Sequence, residues 1–366
     1  MSRTNFEQLL DSGQSPWCDQ ISRGMILNGE LASLRDEGIT GVTSNPSIFQ
    51  AAISSGNDYD DQIFESAQRG VSPSQIFEEI AVADIRDACE IFRPVYQSTT
   101  CADGYVSLEV SPNLAYDTDG TMDEARRLWN LVDRPNLMIK VPGTAEGVPA
   151  FKQLIAEGIN VNVTLLFSVE RYKEVALAYV EGLQQFENMG GNLSQVASVA
   201  SFFVSRVDTA VDALLEKKGN KNLQGKAAVA NAQLAYAEFE KIFKGSQFED
   251  LIPLGARMQR CLWASTSTKN PLYPDTMYVS ELVACDTVNT MPIQTIDAWR
   301  DSGNFNKSMS SSVLGAQVVM DEIRSLGIDV TQITDKLEVD GVKAFSDSYT
   351  QLLLDVERKA GDLVGS

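Results

Sequence analysis

Short apolar runs recur along the chain, and most are followed by longer stretches in which apolar residues return every three to four positions, with polar turns between. The runs lie near residues 15–20, 38–44, 104–110, 136–141, 159–167, 196–203, 260–266 and 286–291, and their lengths suit β-strands. Helical periodicity is clearest over 123–133, 169–187, 203–218, 225–246 and 343–360. Strands that alternate with helices pair in parallel through right-handed crossovers. Such a series of units fits a (β/α)8 TIM barrel with additional helices, which takes about 250 residues and more with insertions. No Pro-, Gly- or Ser-rich linker divides the 366 residues, so one barrel domain over 1–366 is expected. The segment 300–340 reads as a late insertion or helical flank. A doubly wound open sheet is the structural alternative, but no G-x-G-x-x-G follows the first strand. The stretch 219–226 falls short of a P-loop, because its glycines are one residue too far apart and Ala227 stands where Ser or Thr is needed.

The informative feature is where polar residues interrupt these strands. Successive strand residues point to opposite faces. In Tyr105-Val106-Ser107-Leu108-Glu109-Val110, Ser107 and Glu109 share one face and the aliphatic residues the other. Asn160, Asn162 and Thr164 alternate with Val161, Val163 and Leu165, Ser265 and Ser267 share a face, and Lys140 is one charge among Met138, Ile139 and Val141. In an open antiparallel sheet this pattern marks a solvated face. Strands covered by helices on the outside must instead turn their polar face into the barrel, where catalytic groups gather at the C-terminal strand ends. A mouth lined by Glu109, Lys140, Asn162, Thr164 and Ser265 is therefore expected. An amine held among aliphatic side chains loses hydration, which favours the neutral form that attacks carbonyls to give a Schiff base. A structural Lys140–Glu109 ion pair is the plain alternative. Pyridoxal phosphate could also use such a lysine, but no Gly-rich phosphate cup lies near it.

Charge and composition narrow the chemistry. With 30 basic against 50 acidic residues the formal charge is −20, which repels nucleic acid and anionic membranes but leaves room for a phosphate held by a few converging cations. There is no histidine, so Ser-His-Asp and Cys-His catalysis and His-containing metal sites are excluded, and proton transfer falls to carboxylates, Lys, Tyr, Cys or water. No metal and no cofactor is expected. The 5 cysteines, Cys18, Cys89, Cys101, Cys261 and Cys285, show no C-x-x-C spacing and read as reduced thiols. Residues 1–7 lack an apolar leader region, and no apolar run approaches a membrane span, so a cytoplasmic protein, monomer or homodimer, is expected.

Four segments, in this order, resemble transaldolases. They are Gly41-Val42-Thr43-Ser44-Asn45-Pro46-Ser47; Ser107-Leu108-Glu109-Val110 with Leu114-Ala115-Tyr116-Asp117-Thr118; Met138-Ile139-Lys140-Val141-Pro142-Gly143-Thr144; and Gly158-Ile159-Asn160-Val161-Asn162-Val163-Thr164-Leu165-Leu166-Phe167-Ser168. The resemblance implies a (β/α)8 transferase of the non-oxidative pentose phosphate pathway. Such an enzyme moves a dihydroxyacetone unit from sedoheptulose 7-phosphate or fructose 6-phosphate to an aldose phosphate, glyceraldehyde 3-phosphate or erythrose 4-phosphate. It implies Lys140 as the Schiff-base residue and Asp19 as the base at the C4 hydroxyl. Glu109 and Thr164 would hold a catalytic water, and Asn45 and Asn162 the dihydroxyacetone hydroxyls. Ser201, Arg206 and Ser265 match substrate-binding positions, Arg206 that of a phosphate ligand. The chain departs from many relatives two residues after Ser265, where Ser267 replaces a second arginine; Lys269 is the nearest cation and the expected substitute. A Schiff-base fructose-6-phosphate aldolase that releases dihydroxyacetone, and a non-catalytic sugar-phosphate-binding barrel, are the rival readings.

Overall fold

The computed structural model describes residues 4–305, 309 and 313–365. Eight parallel strands close in chain order: β1 (Gln14–Cys18), β2 (Gly41–Val42), β3 (Val106–Glu109), β4 (Leu137–Pro142), β5 (Val161–Leu166), β6 (Ser198–Phe203), β7 (Arg260–Ala264) and β8 (Thr287–Met291), with β8 back on β1. Every expected strand is present, so the open-sheet alternative falls away. β2 is far shorter than 38–44, although its neighbours keep single ladder bonds, Thr40 N to Pro16 O at 2.8 Å and Thr43 N to Cys18 O at 2.9 Å. Gly41 is required here by close approach, since a Cβ would lie 2.5 Å from the Trp17 ring that fills the barrel.

Register fixes which side chains meet inside. Glu109 lies opposite Lys140, Lys140 opposite Asn162, and Pro142 opposite Thr164, so these residues share the inner face of β3, β4 and β5. Beyond Val163 the β5–β6 register shifts by a bulge, and Leu165 takes a left-handed φ of 61°. For a leucine that conformation costs on the order of 1–2 kcal/mol. The bulge falls at the C-terminal end of the strand, beside Thr164, where bulges commonly re-aim a side chain next to a site.

The expected helices are present as Thr118–Val132, Val169–Asn188, Ser205–Lys217, Ala227–Phe243 and, much longer than 343–360, Val330–Gly365. The pattern of runs overlooked Pro73–Ser98, although Ser72 and Gln75 form a capping box around Pro73 and Ile76, Ile80, Cys89 and Phe92 make its buried stripe. The segment 300–340 is a helical flank where described: the end of Ile293–Ser302, the helix Val313–Ser325 and the start of Val330–Gly365. Its residues 306–308 and 310–312 lie outside the described residues, as do residues 1–3 of the N-terminal segment.

The last helix positions the site from above. It is tied to the helix after β5 through Arg171–Glu338 at 3.4 Å. On the β2 side it is held by Ser47 Oγ donating to Ser348 Oγ at 3.0 Å, Gln50 Nε2 donating to Asp355 at 2.8 Å, and a Lys359–Asp60 ion pair at 2.7 Å. Gly341 lets it approach β5 closely, since a Cβ there would sit 3.1 Å from Leu165. One turn on, its buried Phe345 faces the barrel interior.

Candidate active site

Lys140 lies on a strand whose every residue is buried, and is itself 4% exposed. Its Nζ donates to the Ser44 carbonyl at 3.1 Å, lies 3.6 Å from Glu109 Oε2, and sits 5.8 Å from the centre of the Phe345 ring. An ammonium has three N–H donors, so a single hydrogen bond leaves Nζ under-coordinated for a buried cation.

Glu109 is equally buried, and its Oε2 has no hydrogen-bond partner among the described residues. Removal from water pushes its carboxyl up to about 7; Lys140 pulls it down, and the negative charge of Asp19 adds to the rise. Thr164 Oγ1 is also buried and unpartnered. Buried polar atoms are almost always bonded, so an unpartnered Glu109 oxygen next to the amine and an unpartnered Thr164 hydroxyl on the same cleft leave hydrogen-bonding capacity for a water or a ligand.

Asp19 lies just past β1, where its N–H donates to Met291 O at 2.8 Å and so continues the ladder to β8. Its Oδ1 accepts from Thr43 Oγ1 at 2.6 Å, and Thr43 meets Thr290 at 2.7 Å. Burial raises this carboxyl above the usual range, against the opposing pull of Lys140 and the Thr43 hydroxyl. Asn162 is fully buried, donating to Ser107 Oγ at 3.1 Å and accepting from Ser201 Oγ at 2.7 Å. Asn45 caps the helix Pro46–Ser55, its Oδ1 accepting from Ile48 N at 3.0 Å, and its amide NH2 has no protein partner among the described residues.

Two cations stand on the opposite wall. The Arg206 guanidinium lies 5.2 Å from the Phe203 ring centre, and burial lowers its pKa from the ordinary value. Lys269 is exposed and donates to Ser267 Oγ at 2.7 Å. Neither has a carboxylate partner among the described residues, so each keeps its charge available for an anion. Ser265 adopts φ 55° and pairs with Ser205 at 2.9 Å, which turns the chain after β7 toward the mouth.

One cleft of about 570 Å³ is lined by Asp19, Asn45, Lys140, Thr164, Ser201, Arg206, Ser265 and Lys269. The structure therefore brings most of the expected residues together. Glu109 and Asn162 are not on that wall; they lie behind Lys140, against it and its neighbours. Sequence reasoning missed Thr43, Thr290 and Phe345. Thr43 belongs to the quoted Thr43-Ser44-Asn45-Pro46 run and could have been found there. Nothing local distinguishes Thr290 or Phe345; their roles arise from strand β8 closing on β1 and from the last helix folding over the mouth.

A closed parallel barrel with its polar groups gathered at the C-terminal strand ends has the build of a (β/α)8-barrel enzyme. Residues 16–356 match the family model described as Transaldolase/Fructose-6-phosphate aldolase. A protein named Transaldolase from Saccharopolyspora erythraea is 48% identical over 361 residues, covering 98% of each chain. Another from Parafrankia sp. is 49% identical, covering 97% of this chain and 98% of its own. A third, from Acidothermus cellulolyticus, is 50% identical over 355 residues, covering 96% of this chain and 95% of its own. The chain belongs to the transaldolase/fructose-6-phosphate aldolase family, and with relatives of this extent it is an enzyme, a transferase of the transaldolase kind. The non-catalytic barrel is thereby set aside. No described helix is long and apolar enough to cross a membrane.

Proposed function

We propose that the cleft transfers a dihydroxyacetone unit between sugar phosphates through a Schiff base on Lys140. The donor would be sedoheptulose 7-phosphate or fructose 6-phosphate and the acceptor glyceraldehyde 3-phosphate or erythrose 4-phosphate. The observation that carries this reading is the buried, under-coordinated Lys140 Nζ beside the unpartnered Glu109 Oε2 and Thr164 Oγ1, beneath a cleft with two unpaired cations. A cleft of about 570 Å³ suits a ligand of sugar-phosphate size.

Lys140 adds to the ketose carbonyl, and the carbinolamine loses its hydroxyl as water, with Glu109 as proton donor through a water shared with Thr164. Glu109 is suited to this work because its carboxyl titrates near neutrality. Asp19, held by Thr43, takes the C4 hydroxyl proton as the C3–C4 bond breaks, and the bond's electrons remain on the enamine carbon. The enamine then adds to the aldehyde of the acceptor, Asp19 returns its proton to the new hydroxyl, and hydrolysis frees Lys140. Asn45 and Ser201 hold the three-carbon unit, with Asn162 fixing the Ser201 hydroxyl from behind the wall, and Arg206, Ser265 and Lys269 hold the phosphate. The enzyme acts as one barrel domain, as a monomer or homodimer, in the cytoplasm; its free cysteines suit a reducing compartment.

Borohydride reduction in the presence of fructose 6-phosphate, followed by peptide mapping, tests the covalent step. An adduct on Lys140, lost in Lys140→Ala, is expected; an unlabelled wild type with native fold would sink the reading. Adding and omitting the aldose acceptor then separates transfer from release, since free dihydroxyacetone accumulating at the same rate in both would make the enzyme an aldolase.

A further inference from the structure

The last helix, Val330–Gly365, carries Gly341, Phe345 and Ser348 at the three- and four-residue spacing that aligns positions along one helix face. Gly341 rests on β5, where a Cβ would come 3.1 Å from Leu165 and 3.4 Å from Phe167. Ser348 accepts from Ser47 Oγ at 3.0 Å, in the helix that Asn45 caps. Phe345 is buried between these two fixed points. Its ring lines the cleft with Lys140, whose Nζ lies over it, 5.8 Å from the ring centre. The face of an aromatic ring is negative, and a cation within about 6 Å of its centre is attracted to it.

The hydrogen bonding of Nζ gives this contact its weight. An ammonium has three N–H donors to share with water and protein, whereas a protonated Schiff base keeps one. The Ser44 carbonyl, 3.1 Å from Nζ, is placed to take that one. The rest of the positive charge is then met by what stands around the nitrogen: Glu109 at 3.6 Å and the Phe345 face. A sugar phosphate in the cleft also displaces water, and cation–ring attraction is stronger where water is excluded.

We propose that the Phe345 ring stabilises the positive charge of the protonated Schiff base on Lys140, and so is a further residue of the reaction. As the carbinolamine collapses, its C–O bond breaks and the hydroxyl leaves as water with a proton from Glu109. The nitrogen lone pair forms C=N, which leaves the nitrogen positive beside the ring and the Glu109 carboxylate. The ring moves no proton. In the open cleft water shares the ammonium of the free enzyme, so the ring favours the Schiff base over that ammonium as well as over the neutral carbinolamine.

This inference rests on the Lys140 reading, and its test keeps the two apart. Phenylalanines carrying progressively more ring fluorines, placed at position 345, nearly keep the ring's size while draining charge from its face. The readout is the initial rate at which cyanoborohydride traps Lys140 under saturating fructose 6-phosphate, which follows the population of the protonated Schiff base. That rate should fall with each added fluorine, to about a tenth of wild type for the pentafluoro ring. Phe345→Leu, which keeps an apolar cover without a ring, should lose about as much. A rate that stays level along the fluorine series, or in Phe345→Leu, would reduce the ring to a cover and overturn the proposal. A wild type that traps no adduct overturns the Lys140 reading instead, and the role of the ring with it.

Discussion

The barrel interior holds two buried ion pairs of nearly equal length, and they have opposite character. At the bottom, Arg260 lies 3.5 Å from Asp103, with side-chain exposures of 18% and 7%. Asp103 also accepts from Ser15 Oγ, from Trp17 Nε1 at 2.8 Å and from Gly104 N at 3.1 Å, while Arg260 donates to Ser15 at 2.7 Å and lies 6.0 Å from the Trp17 ring centre. At the top, Lys140 and Glu109 are 3.6 Å apart and buried at 5% and 6%, yet the amine makes one hydrogen bond and Glu109 Oε2 makes none. Burial of charge is common to both. What separates the two is the unfilled hydrogen-bonding capacity of the top pair, which leaves room for a water or a carbonyl and suits the role proposed for it.

Substitution should show the contrast in mirror image. Lys140→Met should lower kcat/KM by more than about a thousandfold, because the covalent path is lost. Its stability to urea should stay close to wild type, since Glu109 can hold its proton. Arg260→Met should do the reverse, costing roughly 3 kcal/mol, the low end for breaking a buried pair, because Asp103 keeps other donors. Its Lys140 should still be trapped by borohydride. If Arg260→Met loses activity at unchanged stability, the division between the two ends fails.

Glu109→Gln probes the same pair with a smaller expected effect, a fall in kcat of about a hundredfold. Burial raises Glu109 to about 7, so its acid form is present below that pH and is lost above it. The rate of Schiff-base formation should therefore decline as pH rises through this value. The decline should be absent in Glu109→Gln, and a wild-type profile flat across neutrality would deny Glu109 the role.

The two cations proposed to hold the phosphate should give the smallest effects. Arg206→Ala should raise KM for fructose 6-phosphate by about thirtyfold, the scale of a charge-assisted hydrogen bond. Lys269→Ala should raise it by about fivefold, because Lys269 is exposed and offers a point charge instead of a fork. An unchanged KM in Lys269→Ala would mean that Arg206 carries the phosphate without it.

The division between what could be read early and what could not follows from the range of the forces. Strand positions, and the inward face of Ser107, Glu109, Lys140, Asn162 and Thr164, depend on a local period of two, so the order of residues carried them. The helix Pro73–Ser98 was equally local, with its capping box at Ser72 and Gln75, and was overlooked for want of reading that signal. The need for glycine at Gly41 was not local at all, since it comes from the Trp17 ring pressing on it from the neighbouring strand.

The site divides in the same way. The sequence alone determined that the chain builds alternating strands and helices, which polar residues share the inner face, and that no histidine is available to move protons. Tertiary structure decided that Thr43 would hold Asp19, that Phe345 would come from the far end of the chain to cover Lys140, and that Glu109 would sit behind the amine with an unfilled oxygen. These are contacts between groups as many as 205 residues apart, as between Lys140 and Phe345 (345 − 140). Which of them form depends on barrel closure and on the path of the last helix, and the periodicity of a single segment records neither.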